Sequence, residues 1–129
     1  MKRLNWITGI FVFFVFLPIA FCASQKVTVE VDYGGLHQNR KVEIQWKRGI
    51  TALEALQAVA KVESEYKEEY FLVTSIDNVV GRVGDKVWYY DINGKHATSF
   101  ANKCILKEGD HVKWKYATDV CSRTIKKGE

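Results

Sequence analysis

The side chains in this sequence that could react or bind are few, and their spacing limits what they can do. His37, His96 and His111 stand singly, and Cys22, Cys104 and Cys121 have no further Cys or His at the short intervals of a metal site. The sequence holds no Gly-x-Ser-x-Gly elbow, no His-Glu-x-x-His pair and no phosphate-cradling glycine loop. A thiol nucleophile could be assembled from Cys104 with His96 or His111, but a disulfide to Cys121 would remove the thiolate such chemistry needs. The expectation is therefore no catalytic residues, no metal ligands and no enzymatic activity.

Binding chemistry is better represented. In the segment Lys86–Ile92, Trp88, Tyr90 and Ile92 share one side of an extended chain, and Val87, Tyr89 and Asp91 share the other. The Trp88 side aligns with a core, because burying an aromatic ring removes roughly 150–250 Å² from water. Tyr89 falls on the polar side beside Asp91, with His96 following across the Asn93-Gly94 turn. Tyr89, Asp91, Asn93 and His96 are thus the candidate ligand-binding set, an aromatic platform among mixed polar groups that suits a flat ligand. Asn93-Gly94 and Gly109-Asp110 also have the composition of tight turns, where glycine supplies positive φ and Asn or Asp bonds its own backbone.

The N-terminus points to export. Lys2 and Arg3 precede an uncharged, largely apolar run from Trp6 to Phe21, and small residues follow Pro18, the pattern of a secretory signal. Ala20 and Cys22 occupy the third and first places before a cut after Cys22, so residues 1–22 are read as signal peptide and 23–129 as the domain. Two alternatives place the chain on a membrane: a retained anchor, or a lipid on Cys22, which Phe21 immediately before it disfavours. The expected location is secreted or cell-envelope, and the 107 residues left of 129 suit one domain.

Losing Lys2 and Arg3 lowers the formal net charge from +4 to +2, too balanced for a nucleic-acid partner. The closest thing to a basic patch, Arg123, Lys126 and Lys127, reads as a solvated tail. Cleavage also leaves Cys104 and Cys121 as an even pair in an oxidising compartment, a candidate disulfide worth ~3 kcal/mol. Two free thiols are the alternative.

These groups must be carried by a small β-rich framework. Val27, Val29 and Val31 alternate with polar residues, as do Val42, Ile44 and Trp46 after the turn at Tyr33-Gly34-Gly35, and together they read as an antiparallel hairpin. Thr51 and Glu54 then form a capping-box pair, and Ala52, Leu53, Leu56, Val59 and Ala60 make an apolar helical stripe, predicting a helix to about Val62 that fades into the charged stretch Glu63–Glu69. Strands are expected at Tyr70–Ile76, Lys86–Ile92, Lys95–Ser99 and His111–Ala117, with a turn at Asp77-Asn78. The order predicts an α+β, β-grasp-like fold: a mixed sheet of about five strands with one packed helix.

Several of these segments carry a family likeness. Thr51-Ala52-Leu53-Glu54-Ala55-Leu56, Ser75-Ile76-Asp77-Asn78, Trp88-Tyr89-Tyr90-Asp91-Ile92-Asn93-Gly94-Lys95 and Leu106-Lys107-Glu108-Gly109-Asp110-His111-Val112-Lys113-Trp114-Lys115-Tyr116 resemble the transcobalamin-like C-terminal domain, whose bacterial members form a domain family of unknown function. The likeness spans nearly all of residues 23–129. It implies a β-grasp fold in an exported setting. In the animal vitamin B12 carriers the similar domain covers one face of cobalamin beside a separate helical domain, which has no counterpart in this sequence. The resemblance therefore implies a small-molecule partner, a corrinoid such as cobalamin or another flat ligand. The alternative is a protein–protein module docking a cell-surface protein.

Overall fold

The computed structural model describes residues 13–15, 18 and 25–121. The expected cleavage site after Cys22, most of the signal segment and the basic tail from Arg123 lie outside the described residues. Among those described, no helix is long and apolar enough to cross a membrane.

The valine alternation at the start of the domain builds its central strand. β1 (Lys26–Asp32) buries Val27, Val29 and Val31 completely on one face, each side chain contributing ~1.5–3 kcal/mol by leaving water. It pairs antiparallel with β2 (Arg40–Gln45), Val29 opposite Val42. The turn between them needs Gly34: its φ is +64°, and a Cβ there would sit 2.8 Å from the Tyr116 carbonyl oxygen. On its other side β1 pairs in parallel with β8 (His111–Thr118), Val31 opposite Trp114.

α1 (Ala52–Gln57) lays Ala52, Ala55 and Leu56 into the core. Thr51 Oγ1 accepts the Glu54 backbone N–H at 3.2 Å, the cap the sequence predicts. The carbonyls of Cys104 and Ala101 accept from the Ala52 and Leu53 N–H groups, so the helix start is tied to the segment before β8. The helix stops at Gln57, short of the expected Val62. The chain is diverted there because Asp77 Oδ1 accepts the Lys61 N–H at 2.9 Å and the Asp77 N–H donates back to the Lys61 carbonyl. Instead of a fading helix, the charged stretch forms β3 (Val62–Lys67), paired antiparallel with β4 (Tyr70–Ile76), which then turns into β5 (Val79–Val80). Positive φ at Asp77 (48°) and Asn78 (66°) makes that last turn.

β6 (Lys86–Ile92) pairs along its length with β8, and β7 (Lys95–His96) returns from the Asn93-Gly94 turn. β7 ends at His96 rather than Ser99. The result is a mixed five-stranded sheet in the order β2-β1-β8-β6-β7 with a second sheet β3-β4-β5 beside it, the expected α+β, β-grasp arrangement. The two are joined by a polar clasp: the Tyr33 hydroxyl donates to Asp77 Oδ2, and Arg40 Nη1 lies 3.6 Å from the same oxygen.

Candidate functional site

The short length of β7 leaves a concavity beside β6. It covers β6 only at Asp91 and Ile92, so the edge of β6 from Lys86 to Tyr90 has no strand neighbour on that side. β4 approaches across the gap, and a cleft of about 710 Å³ lies between them. Because it wraps an open edge, it takes side chains from both faces of β6: Trp88 and Tyr90 from one, Val87 and Tyr89 from the other. Opposite stand Tyr70, Phe71 and Val73, and Phe100 closes one end with its ring edge-on to Tyr70, centroids 5.9 Å apart.

The floor is rigid. Tyr90 stacks on Trp114 at 4.7 Å and 24°, and its hydroxyl donates to the Ser99 carbonyl, holding the segment after β7 in place. Trp88 meets Tyr116 and Tyr33 on the buried side, and its Nε1 donates to the Val79 carbonyl at 2.9 Å. The far wall depends on Asp119, almost fully buried. Its Oδ2 accepts the Gly84 N–H at 2.8 Å, and its Oδ1 accepts from the Tyr89 hydroxyl at 3.3 Å. That hydroxyl in turn accepts the Val120 N–H at 3.2 Å. Burial, with the neighbouring Cys121 thiol, pushes the Tyr89 hydroxyl above its ordinary range, and burial with the Cys104 thiol does the same for Tyr90. Both stay protonated and act as neutral hydrogen-bonding walls.

The expected set is only partly brought together. Tyr89 and His96 both line the cleft. Asp91 lies behind them rather than in the lining: it is buried, with Lys115 Nζ 2.6 Å from one carboxylate oxygen and His96 Nδ1 2.9 Å from the other. Asn93 serves the turn, donating to Asp110 Oδ1 and accepting the His111 N–H, both at 2.9 Å. The expected Cys104–Cys121 bridge is not formed: both thiols are free, beside tyrosines on opposite faces of β6. Tyr70, Phe71, Val83, Phe100, Trp114 and Asp119 were not in the expected set. Hydrophobicity could have marked the apolar ones for burial, not for this shared wall, and nothing in the sequence marked Asp119 as buried. Among the described residues no three His, Cys, Asp or Glu side chains group as a metal cage.

No curated protein matches the chain. Among solved structures, a protein from Ruminococcus gnavus ATCC 29149, provisionally described as metal binding, is similar over 73% of this chain and 97% of its own, with 18% identity and a TM-score of 0.62. Haptocorrin in complex with Cbi is similar over 74% of this chain, with 10% identity and a TM-score of 0.64, the match spanning 25% of haptocorrin. At these identities the likeness is one of fold. Residues 49–118, more than half of the sequence, match the family described as Domain of unknown function (DUF4430), and the chain belongs to that family.

Proposed function

We propose that this is an exported binding module of the transcobalamin C-terminal type that holds a flat, amphipathic small molecule, of which a corrinoid is the leading candidate, and that it acts by binding rather than by catalysis. The observation that carries the reading is the cleft along the open edge of β6. Its volume falls in the roughly 300–1,000 Å³ range of ligand sites, and an aromatic wall with a few polar groups is the usual composition of one. The fold shared with haptocorrin, itself in complex with Cbi, supports the corrinoid, and the name of the Ruminococcus protein supports a metal-containing ligand. Export rests on the charged start and apolar run of the first residues.

Trp88 and Trp114 both line the cleft, so a coloured ligand seated there should quench their fluorescence. Titration of the full chain with diaquocobinamide is expected to give saturable quenching, and Tyr70→Ala should weaken it about tenfold, ~1.4 kcal/mol. Quenching that never saturates, or that Tyr70→Ala leaves unchanged, would contradict the reading.

The middle of the β6 edge, between the Lys86 and Tyr90 carbonyls that accept from the Arg82 and Ala97 N–H groups, also favours a second reading, a protein partner that pairs there. In that case diaquocobinamide leaves the fluorescence unchanged and an extended peptide competes for the edge.

A further inference from the structure

His96 differs from the other histidines in how it is held. It lies opposite Asp91 in the β6–β7 register, is 82% exposed, and lines the aromatic cleft. His111 instead turns its Nε2 to Glu30 at 2.8 Å, and His37 packs edge-on against Tyr33; neither lines the cleft. Behind His96 is a carboxylate whose side chain is only 9% exposed. Lys115 occupies one oxygen of Asp91, and the other, Oδ1, has no aligned hydrogen bond although His96 Nδ1 is 2.9 Å away. A buried acceptor of this kind wants a donor, and a small turn of the exposed ring supplies one from Nδ1. With that bond made, the neutral ring carries its proton on Nδ1 and leaves Nε2, which has no partner among the described residues, to bind something else.

A carboxylate holding the far nitrogen of an imidazole is the outer-shell arrangement that orients a metal-binding histidine and raises its basicity. No second or third protein ligand stands near enough for a protein cage among the described residues. One imidazole beside an aromatic wall is suited to a metal whose other positions are filled by its own planar ring. Resting on the reading of the cleft as a flat-ligand site, we propose that His96 binds through Nε2 the axial position of a metal-centred planar macrocycle seated in the cleft, with Asp91 and Lys115 as positioning residues behind it.

The test uses the full chain and diaquocobinamide, whose cobalt has exchangeable axial positions, followed at once by tryptophan quenching and by visible absorbance. The wild type should show both quenching and the band shift that imidazole gives with the free corrinoid. His96→Ala, which removes an exposed ring and leaves Asp91 Oδ1 to water, should stay folded and still quench, bind about tenfold more weakly, and lose the shift until free imidazole is added. Asp91→Asn should weaken the shift with a smaller loss of quenching. Quenching without a shift in the wild type, or an undiminished shift in His96→Ala, would overturn the axial ligand and leave the cleft reading standing. No quenching at all would overturn both.

Discussion

Two sides of the same sheet meet apolar surface in different ways. On the β1–β8 side, α1 lies over the sheet, and Leu56, Ala52 and Ala55 fill the space above Val27, Val29, Val31 and Val112, all fully buried. On the β6 side the residues are larger and more aromatic, yet they leave a gap. Tyr70 and Val83 remain largely exposed at its rim, over a floor in which Trp88 and Trp114 are themselves buried and Tyr90 is half-buried. On this side the hairpin stops after two residues, and Tyr89 and Tyr90 beside it donate their hydroxyls to Asp119 and the Ser99 carbonyl. The closed side is filled by the chain's own side chains; on the proposed reading, the open side is the one preorganised for a ligand.

The largest effect should come from the closed side. Leu56→Ala empties space under α1 and is expected to cost ~3 kcal/mol, seen as a drop in the urea midpoint at unchanged slope. A cost below ~1 kcal/mol would mean that the helix is not the keystone of that side.

The clasp between the sheets should respond to pH in both directions. Burial would push the Asp77 carboxyl up, but the Tyr33 hydroxyl, the Lys61 N–H and the Arg40 guanidinium outweigh it and hold the carboxyl below its ordinary value. A carboxyl lowered in the fold stabilises fully above about pH 4, and that contribution is lost as pH falls through the lowered value. Tyr33 moves the other way: burial first, then its bond to Asp77, push it up to about 12. Its contribution is present below about pH 10, the ordinary tyrosine value, and is lost as pH rises toward about 12. Denaturant midpoints measured across pH should fall at both ends. Asp77→Asn should flatten the acid limb and Tyr33→Phe the alkaline one. An acid limb unchanged in Asp77→Asn would show that the clasp does not couple the two sheets.

The closed side was also the legible one. Strict alternation at Val27–Val31 and at Val112, Trp114 and Tyr116, with a capped helix between, is what one buried face imposes on sequence. The same alternation put Trp88 on the core side, where it is buried, while Tyr89 on the other face is half-buried with its hydroxyl held by Asp119. β3 left no such mark: Glu63, Ser64, Glu65, Tyr66 and Lys67 are all exposed, so neither face of that strand selects for apolar residues, and its pairing with β4 is what makes it a strand. The helix end was hidden for a related reason, since the stripe continues through Val59 and Ala60 while the interaction that ends it comes from Asp77. The cleft was half legible. Tyr89 and His96 stood out by position, but Tyr70, Phe100 and Val120 reach it only through tertiary packing. Asp91 read as an exposed polar group because sequence could not show Lys115 and His96 closing over it.

The smallest stability effect should accompany the largest functional one. Val83 lines the cleft and is 69% exposed, so Val83→Trp adds an indole to the opening without cutting into the core, and its stability should stay within about 0.5 kcal/mol of wild type. If the open edge of β6 is the binding surface, calorimetric titration of Val83→Trp with diaquocobinamide should show binding lost or weakened at least tenfold, ~1.4 kcal/mol, with the fold intact. Wild-type affinity in Val83→Trp would place the ligand elsewhere on the molecule and contradict the central claim.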